Sequence, residues 1–166
     1  MNTFTILPAT PVGDLMLTSD GNALTGVFFE GHSHPPKLPA GAINDPSLPI
    51  FGEATKQLKE YFEEGRRTFD LPLAPVGTPF QQSVWQRLRE IPAGTTVSYG
   101  SIAHELGQPT ASRAVGAAVG RNPISIIVPC HRVVGSTGKL TGFAGGTDRK
   151  RWLLELETGL FHGANR

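Results

Sequence analysis

The sequence contains one cysteine, Cys130, among its 166 residues, so no disulfide can form within the chain. Its apolar runs are all far shorter than the roughly 20 residues that a membrane-spanning helix needs. The first ten residues lack the basic start and the apolar stretch of a secretory signal. We therefore expect a cytoplasmic protein with no membrane segment, in which the single reduced thiol is either inert or functional.

Charge is scarce as well, because only 17% of the residues are charged and the net charge is +1. The net charge differs between the two halves of the chain. Residues 1–78 hold five basic and nine acidic side chains, a net charge of −4, whereas residues 79–166 hold ten basic and five acidic ones, a net charge of +5. Positive charge gathered in one half is typical of a protein that binds a polyanion, although a chance distribution of surface charge remains the alternative.

Turn-forming residues are abundant, with 20 glycines and 14 prolines. In the first half, short β-prone runs predict strands, and a helix with apolar residues at helical spacing is predicted from a Ser47 cap through Glu64. The predicted strands are Thr3–Leu7, Leu15–Thr18, Ala23–Phe29 and a closing strand at Arg67–Leu71. Three prolines and a glycine in residues 72–79 predict a linker.

The second half is predicted to be mainly helical. Its helices are Pro79–Ile91, a short one that follows Val97–Gly100 and ends near Leu106, Thr110–Gly120 and Thr147–Glu157. The middle two are short and joined by a glycine-containing turn, which makes them a candidate helix-turn-helix. The fold class is thus α/β (α+β) with two domains. Residues 1–76 would form a supporting domain with an antiparallel sheet and a helix, and residues 77–166 a mainly helical domain with the functional site.

Cys130 follows a proline and precedes two basic residues, His131 and Arg132. A lone cysteine is most often an inert core residue, which is the alternative interpretation. The basic neighbours are expected to lower the pKa of the thiol. Because successive residues on a strand point to opposite faces, a direct hydrogen bond between Cys130 and His131 requires a turn here, or else a bridging water.

The helix predicted at Thr110–Gly120 is rich in alanine and glycine, and Arg113 is its one long basic side chain. Small residues allow close packing against another helix, which is one interpretation. The other is insertion into a DNA groove. A helix with so few base-reading side chains favours sequence-independent binding in the minor groove, with Arg113 entering the duplex.

Other candidate sites are weaker. His32 and His34 could form a metal pair, but no cysteine or carboxylate at ligand spacing lies nearby, so no metal is expected. The sequence contains neither a phosphate-binding glycine motif nor a dinucleotide fingerprint, and no cofactor is expected. Tyr99 could be a core residue, and Asp148 and Glu157 could be surface carboxylates.

The segment Pro129–Arg132 resembles the O6-alkylguanine-DNA alkyltransferases, also called methylated-DNA–protein-cysteine methyltransferases. Further segments resemble this family in its own order and cover nearly all of residues 79–157, whereas residues 1–75 carry only a loose likeness. These segments are Phe80–Trp85, Ile91–Gly94, Ser98–Ala103, Ser112–Gly116, Arg121–Pro123, Ile127–Val134, Leu140–Gly146 and Lys150–Leu154.

The resemblance implies a reaction and the residues that carry it out. Cys130 would accept an alkyl group from O6-alkylguanine in double-stranded DNA, and O4-alkylthymine is a second possible substrate. His131 would act on the thiol through a water, and Glu157 would orient the imidazole. Asn122 would hold the turn that leads to the acceptor segment. A thioether has no easy route back to a thiol, so each molecule would act once, as a monomer.

The remaining implied roles concern the DNA. The target nucleotide must leave the stack, because its O6 atom lies inside the duplex. Arg113 would fill the vacated space, and Tyr99 would donate a hydrogen bond to the departing guanine. The resemblance also implies two groups of contacts. The DNA-binding residues would be Tyr99, Thr110, Ala111, Ser112, Arg113, Gly116 and Ser136. The base pocket would be formed by Val133, Phe143 and Ala144, with backbone groups of Cys130.

Two departures from the family pattern concern the base pocket and a metal. Some members carry tyrosine where Phe143 stands and serine where Ala144 stands, so Ala144 offers only its backbone amide. Members with a zinc site use cysteines in the first domain, where this chain has none.

Two other functions are compatible with such a chain. Relatives of this fold bind alkylated DNA without repairing it, but they lack the acceptor cysteine that is present here. A transcription regulator could use the helix-turn-helix, but the candidate recognition helix has few base-reading groups, and the chain is short for a fusion of both activities.

Overall fold

The computed structural model describes residues 2–36, 38–140 and 143–159. A sheet and one helix come first along the chain, and four further helices follow. The elements are β1 (Thr3–Thr10), β2 (Gly13–Ser19), β3 (Leu24–Phe29), β4 (Ile43–Asn44), α1 (Pro49–Glu64), α2 (Pro79–Leu88), β5 (Val97–Ser98), α3 (Tyr99–Glu105), α4 (Ser112–Gly120), a 3-10 turn (Cys130–Arg132), β6 (Val133–Val134) and α5 (Thr147–Thr158).

The main sheet has the strand order β3-β2-β1-β4. Strands β1, β2 and β3 form an antiparallel meander, as predicted. The short β4 was not predicted. It pairs in parallel with β1 at Thr3 and Phe4. The sheet is therefore mixed rather than purely antiparallel.

Helix α1 covers this sheet with an apolar face that includes Phe51, Ala54, Leu58 and Tyr61, all almost fully buried. The predicted cap at Ser47 is wrong. Leu48 occupies the cap position, with a proline directly after it, and the Ser47 hydroxyl instead donates to the Asp45 carboxylate. Proline is well suited to the first helical turn because no partner for its missing N–H is needed there.

The predicted closing strand at Arg67–Leu71 is also wrong, because this segment pairs with no strand and is held instead by α1, where the Gln57 side chain bonds both the amide and the carbonyl of Asp70. The edge of β3 is instead covered by two irregular segments. Leu24 pairs with residues 72–74, and Val27 donates to the Pro123 carbonyl at 2.8 Å and accepts from the Ser125 amide at 3.2 Å. The first half of the chain therefore holds the segment that leads to Cys130.

The second half begins with α2, whose cap Thr78 forms a reciprocal capping box with Gln81. The helix ends at Leu88, three residues earlier than predicted, and a turn with Gly94 in the left-handed region follows. Strands β5 and β6 then pair in parallel, Val97 with Val133. This pairing places the start of α3 beside the segment that carries Cys130.

Helices α3 and α4 are joined by a turn at Gly107, which has a φ of 75°. Helix α4 packs on α2 and α3 through Val115, Ala118 and Val119, and the Trp85 indole donates to the Ala118 carbonyl at 2.8 Å. The small residues of α4 thus allow close packing on one face, while its opposite face is exposed. None of the helices in residues 2–36, 38–140 and 143–159 is long and apolar enough to cross a membrane.

Candidate active site

Cys130 opens a 3-10 turn directly after Pro129. The turn is closed by hydrogen bonds from the Arg132 amide to the Pro129 carbonyl, at 3.0 Å, and from the Val133 amide to the Cys130 carbonyl. Cys130 and His131 therefore do not alternate as they would on a strand, and the turn that the sequence required is present. The Cys130 residue is 4% exposed, so its thiol is almost completely closed to solvent.

Burial raises the pKa of the Cys130 thiol above its ordinary value, although a hydrogen bond from the Asn122 amide and the charge of Lys150 counteract this in part. The expectation that His131 and Arg132 lower the thiol pKa is therefore wrong. His131 is fully buried, which lowers its own pKa and keeps it neutral. The positive charge of Arg132 is compensated by the carboxylate of Glu157, with which it forms a salt bridge.

Glu157 is the centre of a buried polar network, because its side chain is 0% exposed. One carboxylate oxygen, Oε2, accepts from the Tyr61 hydroxyl at 2.5 Å, from Arg132 Nη2 at 2.9 Å and pairs with His131 Nε2 at 2.6 Å. The other, Oε1, accepts from Arg132 Nε at 2.9 Å. The interpretation of Glu157 as a surface carboxylate is wrong, whereas Asp148 on the same helix is exposed.

The charge states within this network follow from its contacts. Burial alone would raise the pKa of Glu157, but the hydrogen bonds from His131 and Arg132 and the charge of Arg132 outweigh it and hold that pKa well below its usual range. Burial and the adjacent carboxylate raise the pKa of Tyr61 well above its ordinary value. Glu157 is therefore ionised, and Tyr61 keeps its proton and donates it to the carboxylate.

An ionised Glu157 also fixes the tautomer of His131. Its Nε2 must carry the hydrogen that the carboxylate accepts, which leaves Nδ1 as an acceptor. In the part of the chain that the structure describes, Nδ1 is buried and has no hydrogen-bond partner. The site therefore holds a neutral imidazole, fixed at one nitrogen and able to take a proton at the other, on the residue next to the thiol.

Asn122 lies in the turn that follows α4 and is 2% exposed. Its amide nitrogen donates to the Val128 carbonyl at 2.9 Å, and its oxygen accepts from the Ile124 amide at 3.0 Å. These bonds connect the end of α4 with the backbone just before Pro129. Asn122, Cys130, His131 and Glu157 are thus brought together, as the resemblance implied.

Lys150, on α5, is also part of this cluster and is 0% exposed. Its Nζ lies 5.9 Å from the centre of the Tyr99 ring, and it interacts electrostatically with Cys130. Tyr99 is the first residue of α3 and is half-buried, with its ring next to Gly116 of α4. Lys150 therefore links the tyrosine at the start of α3 to the cysteine.

The predicted DNA-binding residues lie mostly on one exposed surface at the start of α4. Arg113 is the second residue of this helix and is exposed. The neighbouring residues are exposed or half-buried, namely Thr110, Ala111, Ser112 and Gly116. Ser136 is also exposed, in a separate loop after β6.

The predicted base-pocket residues are held partly by the first half of the chain. Val133 is fully buried in β6, and Phe143 packs against Phe29 with ring centres 5.6 Å apart. The Ala144 carbonyl accepts from both the amide and the hydroxyl of Ser33, at 3.0 and 3.2 Å. Two residues of the predicted loop, Thr141 and Gly142, lie outside the described residues.

His32 stacks on Phe29 at 6.0 Å, directly before Ser33, and its Nδ1 accepts from the Phe29 amide at 3.3 Å. Burial, with the nearby charges of His34 and Arg149, lowers the pKa of His32 to about 4. The unfolded chain then binds more protons than the folded one between about pH 4 and the ordinary value of 6.5. His32 should therefore contribute a loss of stability as the pH falls through this range.

We expect urea unfolding to show this loss, and His32→Asn to reduce it. Asparagine keeps an oxygen that can accept from the Phe29 amide but does not titrate, so the free energy of unfolding should depend less on pH between 6.5 and 4. An unchanged dependence would mean that other groups, such as the buried His131, account for it.

Three contributors were not singled out by the sequence. Tyr61 lies within the predicted first helix, Lys150 within a matching segment and Ser33 next to His32, but none of the three was given a role. Nothing in the local sequence of these residues distinguishes them, because each acquires its role from partners far along the chain.

A buried cysteine next to an oriented, neutral imidazole, together with a helix whose exposed face carries Arg113, defines a protein with one thiol held beside a fixed imidazole. Comparison with known families shows which proteins of this class the chain is related to. The family model described as 6-O-methylguanine DNA methyltransferase, DNA binding domain, matches residues 79–159, and the one described as its ribonuclease-like domain matches residues 4–75.

Individual relatives agree with the family models. The chain is 49% identical over 148 residues to a methylated-DNA–protein-cysteine methyltransferase of Methanosarcina acetivorans, which covers 89% of this chain and 94% of the relative. It is 46% identical over 155 residues to that of Haemophilus influenzae, covering 93% and 85%. A structure of Mycobacterium tuberculosis OGT in complex with DNA superposes with a TM-score of 0.87 at 45% identity, covering 95% and 93%. The chain belongs to the 6-O-methylguanine DNA methyltransferase family.

Proposed function

We propose that this protein repairs DNA by moving an alkyl group from the O6 atom of guanine to Sγ of Cys130, once per molecule. Family membership supports the reaction class, and one observation carries the assignment of residues. The buried Nδ1 of His131 has no partner among the described residues, while Nε2 is fixed by Glu157 at 2.6 Å. This geometry suits a base that takes the thiol proton, directly or through a water.

The proposed reaction balances its protons within the site. The Cys130 proton passes to His131 Nδ1, the thiolate forms an S–C bond, and the bond between the alkyl carbon and O6 breaks. The departing guanine takes a proton from the Tyr99 hydroxyl, which recovers one from the imidazolium. In net terms the thiol loses one proton and guanine gains one, while His131 and Tyr99 return to their starting states and a stable thioether remains on Cys130.

The raised thiol pKa makes the base essential. A thiol with a lowered pKa would already be ionised at neutral pH, whereas Cys130 keeps its proton until it is removed. Burial thus protects the unused protein from adventitious alkylation, and the relay through His131 and Glu157 generates the nucleophile where the substrate binds.

The alkylated base must leave the duplex to reach the thiol of Cys130. We propose that the exposed surface at the start of α4 binds the minor groove and that Arg113 occupies the space left by the flipped nucleotide. The opposite face of α4 is packed on α2 and α3, which supports the groove-binding role of the exposed face. Tyr99, at the start of α3, would sit where the displaced base enters.

A single assay tests the reaction. The protein is incubated with duplex DNA that contains one O6-methylguanine, and its intact mass is measured. We expect a gain of one methyl group, located at Cys130 by peptide mapping, and no gain for Cys130→Ala. Tight binding to the damaged duplex without any gain in mass would indicate a sensor instead, and preference for one undamaged sequence would indicate a regulator.

Arg113→Ala is expected to slow repair of duplex DNA while leaving the reaction with free O6-benzylguanine nearly unchanged. The free base needs no flipping, so it should not depend on a side chain that fills the stack. Single-turnover rates on both substrates measure the difference, and Arg121→Ala, a basic residue just after the same helix, serves as the control. Equal losses on both substrates would remove Arg113 from this role.

The proposal also covers the range of substrates and the cellular context of the protein. O4-methylthymine presents the same kind of alkyl–oxygen bond and is proposed as a second substrate. We further propose that the protein acts in the cytoplasm as a monomer, without a metal or cofactor, and that residues 1–76 support the acceptor domain formed by residues 77–166.

A further inference from the structure

Arg149, the third residue of α5, connects the first half of the chain to the segment that precedes this helix. Its Nε donates to the Val12 carbonyl at 2.9 Å, in the turn between β1 and β2. Its Nη1 donates both to the Glu30 carbonyl at 2.7 Å, directly after β3, and to the Gly145 carbonyl at 3.2 Å, shortly before α5. One guanidinium therefore fixes this segment to one end of the main sheet.

The same segment packs closely on Phe29, the last residue of β3. The guanidinium carbon of Arg149 lies 5.3 Å from the centre of the Phe29 ring, within the range of a cation–π contact. A Cβ atom added at Gly145 would lie 2.5 Å from Phe29 Cδ2 and 2.9 Å from Phe143 Cε2, so any larger residue would displace a ring. The position of the Phe143 ring therefore depends on the backbone of Gly145, which Arg149 holds.

Two residues outside the segment bond its backbone, and they differ in strength. Ser33 donates twice to the Ala144 carbonyl, but Ser33 is exposed, so water competes for both bonds. The bond from Arg149 to Gly145 is half-buried and starts from a charged group. Charge-assisted hydrogen bonds are about twice as strong as neutral ones. Arg149 is thus the stronger of the two attachments.

We propose that Arg149 is a positioning residue for the base pocket, which keeps Phe143 and Ala144 in place before the base arrives. This role rests on the proposed function, in which those two residues form part of the pocket. The hydrogen bonds of Arg149 within the described residues go to backbone carbonyls, so the chemical step at Cys130 does not involve it. A pocket that is held in advance need not be ordered on binding, so loss of Arg149 should weaken binding of the base rather than slow the chemistry.

The test uses free O6-benzylguanine, which enters the base pocket without DNA. Transfer of the benzyl group to Cys130 is followed by intact mass at increasing concentrations of the free base, which gives the half-saturating concentration and the maximal rate. We expect Arg149→Met to raise the half-saturating concentration about tenfold, the order expected for loss of one charge-assisted hydrogen bond, and to leave the maximal rate nearly unchanged. Arg149→Lys should recover part of this loss, because its ammonium keeps the charge and can still donate to a carbonyl.

Two controls distinguish a positioning role from general distortion of the site. Arg151→Met removes a positive charge two residues later on α5, from a side chain that is 57% exposed, and should behave as the wild type does. Iodoacetamide needs no base pocket and should alkylate Cys130 no more slowly in Arg149→Met than in the wild type. An unchanged half-saturating concentration in Arg149→Met, or a slower reaction with iodoacetamide, would overturn the proposal.

Gly145→Ala tests the same contact without changing the arginine and covers the case in which Arg149→Met does not fold. Its added methyl group should displace the Phe29 or the Phe143 ring and likewise raise the half-saturating concentration. Because both substitutions release one segment, the double variant should lose less than the product of the two single effects. Fully multiplicative effects would mean that the two residues act independently, contrary to the proposal.

Duplex DNA with one O6-methylguanine separates this role from the proposed function. Failure of the wild type to take a methyl group from that duplex would overturn the proposed function. A wild type that repairs the duplex but does not react with the free base would overturn only the role given to Arg149.

Discussion

Glu157→Gln is expected to destabilise the protein by about 3–5 kcal/mol, the usual cost of leaving a buried charge without its partner. The glutamine removes the anion that Arg132 bonds twice and that Tyr61 and His131 also contact. Its amide can replace only some of these acceptors, and the guanidinium, which is almost fully buried, would have no counter-charge. Such a loss is a large part of a typical domain stability of about 5–15 kcal/mol.

The pH dependence of stability provides a second signature of the same substitution. The pKa of Glu157 is held below its unfolded value of 4.5, so its stabilisation is complete above that pH and is lost as the pH falls toward the folded pKa. Urea unfolding of the wild type should show this loss at acid pH, and Glu157→Gln should not. Glu155→Gln, two residues earlier on α5, is the control and should behave as the wild type does.

The same variant should also slow alkyl transfer. Without an ionised carboxylate, nothing forces the hydrogen of His131 onto Nε2, and the base at Nδ1 is lost in part of the molecules. An orienting carboxylate of this kind contributes up to about 10⁴-fold to rate in serine proteases. A folded Glu157→Gln variant that transfers the methyl group at the wild-type rate would contradict the proposed relay.

His131→Asn is expected to have the second large effect, and mainly on rate. A general base contributes about 10²–10⁴-fold, and an asparagine amide cannot take a proton at neutral pH. Single-turnover transfer from O6-methylguanine in duplex DNA measures this loss. Stability should fall much less than for Glu157→Gln, by about 1–3 kcal/mol, because no charge loses its partner.

The pH profile of His131→Asn separates a lost base from a distorted site. Transfer by the wild type should fall as the pH drops and His131 gains a proton, since only the neutral ring can act; burial places that change below its ordinary pKa of 6.5. The variant should be slow at neutral pH but recover as rising pH ionises Cys130 directly. His104→Asn, an exposed histidine of α3, is the control. A variant that stays slow even at high pH would indicate distortion.

Most of the fold was predictable from local sequence because the elements that matter are strongly patterned. The three strands of the meander and the helices of the second half carry clear apolar periodicity and turn residues, and α2 begins at its proline as predicted. The errors occur where tertiary contacts decide. Strand β4 depends on pairing with β1, and the contact with the edge of β3 is made by residues 72–74, which follow the predicted closing strand.

The resemblance named the residues of this cluster, but the sequence did not predict their electrostatics. Motif resemblance pointed to Cys130, His131, Asn122 and Glu157, which the structure brings together. The direction of the thiol pKa was predicted wrongly, because the sequence shows that His131 and Arg132 are adjacent but not that one is buried and the other bonded to Glu157. Burial is a property of the folded chain, and no short window of sequence reports it.

The hydrogen bond between Tyr61 and Glu157 spans 96 positions of the chain, from the helix that covers the sheet to the last helix. Loss of the Glu157 carboxylate would leave the buried Tyr61 hydroxyl without its acceptor, whereas loss of that hydroxyl would leave the carboxylate with only His131 and Arg132. The two halves therefore cannot be exchanged freely between distant relatives. A hybrid that joined the first half of one protein to the second half of another should remain active only if both parents supply this pair.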